Sequence, residues 1–78
     1  MDLVEARLQA PLLFDDATGY WTGEPNTALL ETALSASDLP ATVQVVRDGA
    51  RVTLRGRRSA VNNALDVLLA AGLEKLEP

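Results

Sequence analysis

Two short alternating runs meet at Asp48-Gly49, and that junction constrains the fold more than any other feature of the chain. Thr42-Val43-Gln44-Val45-Val46 is β-branched, and Arg51-Val52-Thr53-Leu54-Arg55 alternates polar with apolar residues. Asp-Gly suits a type I′ turn, whose two central positions both need positive φ. Residues 41–56 therefore predict a β-hairpin with Val52 and Leu54 toward a core and the polar set outward. A lone hairpin is marginal in water, so the rest of the chain must cover its apolar face.

The flanking sequence offers the cover. In residues 2–10, Val4, Ala6, Leu8 and Ala10 share one parity while Glu5, Arg7 and Gln9 share the other, the pattern of a strand ended by Pro11. Residues 11–25 hold two Pro, two Gly and Asp15-Asp16, and read as a long aromatic and acidic loop with some strand character at Leu12-Leu13-Phe14. Pro25 suits the first turn of a helix over 27–36, where Leu29, Leu30, Ala33, Leu34 and Ala36 fall in one arc. Ser37-Asp38-Leu39-Pro40 stops it. Ser59 as N-cap and Gly72 as a left-handed C′ residue bracket a last helix over 59–71. Leu73-Glu74-Lys75-Leu76 fits either a short strand or a turn. The order is β-α-β-β-α with an optional last strand. Residues 1–78 thus read as one α+β domain: a two-layer sandwich, antiparallel sheet with two helices on one face, of the half-open ferredoxin-like or KH-like class.

The last helix is greasier than this scheme needs. Ser59, Asn62, Asn63 and Asp66 occupy one polar arc and read as the solvated side. Ala60, Val61, Ala64, Leu65, Val67, Leu68, Leu69 and Ala71 spread over about 200°, twice the stripe needed to lie on one sheet. A domain this small hides only about 60–65% of its extended-chain surface. Val61, Leu65, Val67, Leu68 and Leu69 are therefore candidate interface residues, covered by a second copy or by another protein.

Charge is segregated. The net charge is −4, yet residues 1–46 hold one Arg against seven acids, while residues 47–58 hold five Arg against Asp48. Arg51, Arg55 and Arg57 share strand parity with Thr53, and with Arg58 they form a candidate anion-binding set flanked by Arg47. Such a set suits RNA, DNA or a phosphorylated ligand. The competing expectation, favoured by the lack of aromatics among the arginines, is pairing with the acids of residues 1–46. Phe14, Tyr20 and Trp21 are the chain's three aromatics, and they lie beside Asp15, Asp16 and Glu24. They are a candidate hot spot for a cationic peptide or small ligand. The alternative, common in small domains, is a loop that folds back and plugs one end of the core.

Much chemistry is excluded. Without Cys or His the chain has no thiolate nucleophile, no thiolate zinc site and no imidazole base. Asp15-Asp16-Ala17-Thr18-Gly19 lacks the alternating oxygen donors of a calcium loop, and Gly19 and Gly23 fit neither a P-loop nor a dinucleotide fingerprint. No catalytic residue, metal or cofactor is expected. No apolar run approaches the roughly 20 residues of a membrane span, and the N-terminus lacks signal-peptide character, so a cytoplasmic location is expected. The sum is a small non-enzymatic association module, a homodimer or a subunit of a larger assembly. The alternative is nucleic-acid or phosphate-ligand binding through residues 47–58.

Three partial likenesses arise at the hairpin and last helix. Residues 43–56 followed by Ala60, Ala64 and Gly72-Leu73 resemble the BON domain, an envelope-associated α+β module. Gly56-Arg57 with Ala60-Val61-Asn62-Asn63-Ala64-Leu65-Asp66-Val67 is similar to the nucleic-acid-binding Alba family. The element order and length are similar to those of the small dimerising subunit of the KEOPS complex. All three share one strand-turn-strand-helix pattern, so the chain is assigned to none of them.

Overall fold

In a computed structural model, which describes residues 3–76, the chain forms β1 (Leu3–Gln9), β2 (Leu12–Asp15), β3 (Tyr20–Pro25), α1 (Thr27–Ala36), β4 (Gln44–Asp48), β5 (Arg51–Arg57), α2 (Arg58–Ala70) and β6 (Glu74–Lys75). It is mixed α+β, with antiparallel sheets and two helices. β1 and β5 pair over their whole length, from Leu3 opposite Arg57 to Gln9 opposite Arg51. β4 adds to β5 and β6 to β1, so the sheet order is β4-β5-β1-β6. Asp2, expected in the first strand, lies outside the described residues.

Alternation sorts the sheet faces as expected. Ala6, Leu8, Val52 and Leu54 are buried, and Leu30 and Ala33 of α1 join Val61, Ala64, Leu65 and Leu68 of α2 in the same core. Leu8, Leu30, Leu54 and Leu68 are wholly buried, each stabilising the fold by about 1.5–3 kcal/mol through removal from water.

Three local details differ from expectation. Asp48 pairs with Arg51, so the central turn residues are Gly49 and Ala50, and only Gly49 has positive φ (61°). That is the pattern of a type II′ turn, which needs Gly at the first central position alone. Pro25 closes β3 opposite Leu12 instead of opening α1, because strand pairing claims it. The cap is Asn26, whose Oδ1 accepts from the Leu29 amide at 3.1 Å. α2 starts at Arg58, straight from the strand, with Arg57 as an N-cap that makes no side-chain capping bond; Ser59 lies inside the first turn.

The end of α2 matches the glycine signal. Gly72 has φ 111°, its amide donates to the Leu69 carbonyl at 3.1 Å, and the Leu73 amide donates to the Leu68 carbonyl at 3.2 Å. Both orphan carbonyls are thereby satisfied in a Schellman motif, with Leu73 and Leu68 buried together. Glu74 and Lys75 then form a short edge strand against β1.

The largest difference is in residues 11–25, which form a β-hairpin arm, not a loop. β2 and β3 are joined by Asp16-Ala17-Thr18-Gly19, with the Gly19 amide donating to the Asp15 carbonyl at 2.8 Å and the Ala17 amide to the Asp15 carboxylate at 2.9 Å. A bulge interrupts the pairing between Leu12 and Phe14. No arm residue belongs to the core. The radius of gyration is 13.4 Å, against about 11.5 Å for a compact chain of this length, and the long axis reaches 49 Å. Two backbone bonds fix the root: Ala10 N–H to Ala50 C=O at 2.8 Å and Asn26 N–H to Pro11 C=O at 2.7 Å.

Candidate functional site

The arm gathers the chain's aromatics at its surface. Cross-strand pairing sets Phe14 opposite Trp21, and their rings meet edge to face at 5.1 Å. Trp21 is 66% exposed, Tyr20 75% and Phe14 47%, with Leu12 and Leu13 also exposed. The expected plug is therefore overturned: the aromatic segment pairs with itself, and its strands never return to the core. Asp15 holds the turn, while Asp16 at the tip and Glu24 on β3 are exposed. The arm carries three acids and no Lys or Arg.

The open face of the four-stranded sheet is the second feature. Parity places Arg51, Arg55 and Arg57 there together, as expected, and the register adds Arg7 opposite Thr53. Glu5 sits among them, 3.5 Å from Arg7 Nη2 and 3.8 Å from Arg55 Nε. Asp48 and Gln9 lie opposite Arg51 on its two sides. A shallow concavity on this face is lined by Glu5, Arg7, Asp48, Arg51, Thr53, Lys75 and Leu76. The face thus mixes the signs of charge instead of presenting bare guanidiniums. Arg47 does not flank it. Opposite Val52, it has the other parity and reaches Glu31 of α1, with Nη1 and Nη2 each 3.3 Å from Oε1. Arg58, expected in the same set, is the first residue of α2 and lies off the strand. The pairs Arg55–Glu5 and Arg47–Glu31 realise the pairing with residues 1–46. Being exposed, each contributes at most about 1 kcal/mol.

The candidate interface on α2 divides. Val61, Leu65 and Leu68 lie in the chain's own core, because the sheet packs on that side of the helix and α1 adds Leu30 and Ala33 to the same cluster. They offer nothing to a partner. Val67 and Leu69 remain 38% and 39% exposed, on opposite flanks of the buried stripe, so they form no continuous patch. A wide apolar arc on a helical wheel overstates the surplus when two neighbours cover it.

Beyond the residues expected from the sequence, the structure adds Leu12 and Leu13 to the exposed arm and Arg7 and Glu5 to the sheet face. The opposite parity of Glu5 and Arg7 to the buried set of β1 was the signal for the latter pair. Among the described residues, no group of three or more acids is placed to hold a metal ion. No helix among them is long and apolar enough to cross a membrane. Compared with known protein families, curated proteins and solved structures, the chain gives no match.

Proposed function

We propose that this chain is a non-enzymatic association module whose docking element is the β2–β3 arm, acting in a homodimer or as a subunit of a larger assembly. The body is a split-βαβ two-layer sandwich of the ferredoxin-like class, a reading supported by the sheet order β4-β5-β1-β6, with the arm inserted between β1 and α1. One observation carries the function: five large apolar side chains, Leu12, Leu13, Phe14, Tyr20 and Trp21, lie exposed on a two-stranded hairpin outside the core. A two-stranded hairpin is marginal without a third layer, and exposed apolar surface, here the Phe14–Trp21 pair on one face and Tyr20 on the other, marks an interaction site. Trp21 and Tyr20 are the anchors, since aromatic residues dominate interface energetics.

The test is a full chain carrying Phe14→Ser, Tyr20→Ser and Trp21→Ser. A docking arm predicts that the urea unfolding midpoint of the body moves by no more than about 0.5 kcal/mol in stability, while association seen by light scattering is lost. Collapse of the body would make the arm part of the folding core and end this reading.

Anion binding through Arg51, Arg55 and Arg57 is the second reading, favoured by their shared open face. It requires retention on heparin or an oligonucleotide at low salt, with affinity falling steeply as salt rises. The interspersed Glu5 and Asp48 weigh against it.

A further inference from the structure

We infer that the occupant of the arm is a second copy of this chain, with each arm laid across the open sheet face of the other protomer. The inference rests on the association reading and adds the partner and the contact.

Charge complementarity argues for it first. The arm presents Asp16 and Glu24 with no cation, whereas the open face carries Arg7, Arg51, Arg55 and Arg57 against Glu5, Asp48 and Glu74, a surplus of one positive charge. Glu5 is engaged by Arg7 and Arg55, which leaves Arg51 and Arg57, at the two ends of β5, as the cations for the arm's acids. The chemistry of the apolar parts agrees. Trp21 and Phe14 share one face of the arm, with Tyr20 on the other, and offer aromatic surface on which guanidinium groups stack; such contacts strengthen when desolvated. Leu3 and Val46 on the same sheet face are 67% and 47% exposed and give the aromatic rings apolar ground.

Dimensions agree as well. β5 from Arg51 to Arg57 spans about 20 Å and β3 from Tyr20 to Pro25 about 17 Å, so the arm is long enough to lie along most of the strand that carries the arginines. Within one chain the arm leaves its own sheet face uncovered, since Trp21, Tyr20, Arg51, Arg55 and Arg57 are all exposed. The bonds from Ala10 to Ala50 and from Asn26 to Pro11 tie its root, and none of its side chains joins the core. Reciprocal exchange doubles the buried surface of one arm-on-sheet contact, moving a small contact toward the size of a stable interface.

The test is a charge swap in the full chain, read by light scattering at high micromolar concentration. Asp16 and Glu24 are chosen on the arm because Asp15 holds the turn; Arg51 and Arg57 are chosen on the face, and all four are exposed. Wild type is expected at twice the 8.3 kDa chain mass, weakening roughly tenfold from low to high salt. The Asp16→Lys/Glu24→Lys chain alone and the Arg51→Glu/Arg57→Glu chain alone are each expected as monomers, because arm and face then carry like charge. Mixing the two restores both contacts and the doubled mass. A neutral Arg51→Gln/Arg57→Gln chain gives an intermediate weakening and guards against misfolding of the reversed one. A face-reversed chain that still dimerises alone, or two monomeric variants that fail to combine, overturns the inference. So does a wild type that stays at the single-chain mass with Trp21 freely quenched, which would leave the association reading standing with a different partner. Failure of that reading looks different: Trp21 is then shielded within the monomer itself.

Discussion

Phe14 and Trp21 face each other across the arm, ring centroids 5.1 Å apart and planes at 68°, and neither touches the core. An edge-to-face pair of this kind contributes about 0.5–1.5 kcal/mol beyond area burial. Here that contribution holds β2 to β3 and nothing else. Phe14→Ala should therefore loosen the arm without weakening the body. Amide exchange over residues 12–25 is expected to accelerate several-fold, while the urea midpoint of the body stays within about 0.5 kcal/mol of wild type.

Leu68 and Leu69 are neighbours in sequence and opposites in role. Leu68 is fully buried and meets Leu73 at the close of α2; Leu69 is 39% exposed. Leu68→Ala is expected to cost about 2–5 kcal/mol, a large share of the roughly 4–12 kcal/mol available to a chain of this length. Leu69→Glu is expected to cost under about 1 kcal/mol. Urea denaturation followed by circular dichroism distinguishes them.

Gly72 is held at φ 111°, and a Cβ built there would lie 3.1 Å from Leu29 Cδ2. Both the backbone and the packing of α1 onto the α2 terminus oppose a side chain. Gly72→Ala is expected to destabilise by about 1–2 kcal/mol in the same assay. A neutral result would mean that the helix end rearranges.

Asn26 joins the arm to α1: its Oδ1 caps the helix through the Leu29 amide, and its own amide donates to Pro11 at the arm root. Asn26→Ala keeps the backbone bond and removes the cap, so a loss of about 1 kcal/mol is expected, with Asn26→Asp close to wild type. Thermal unfolding of the three chains checks the order.

How far the fold is legible in the sequence follows from which forces act locally. Strict alternation in β1 and β5 and the arc of α1 are readable because one buried face imposes its period on the residues; α1 spans Thr27–Ala36, as its spacing predicts. The arm was harder. Its strand formers Phe14, Tyr20 and Trp21 flank Asp16-Ala17-Thr18-Gly19, a four-residue turn ending in Gly with positive φ, yet the surrounding Pro11, Gly23 and Pro25 read as breakers. With no face buried, no alternation marked its strands. The open-face arginines were readable from parity, whereas Arg47 was not, because its place depends on where the turn falls. The excess attributed to α2 dissolved for a tertiary reason: α1 and the sheet share the work of covering Val61, Leu65 and Leu68.

Acrylamide quenching of Trp21, the only tryptophan, in dilute chain shown to be monomeric by light scattering is the most direct measurement. An arm that stands clear of the body predicts quenching close to that of a free indole, falling as concentration rises and the arm is covered in trans. A Trp21 that is already shielded in the monomer would contradict the account.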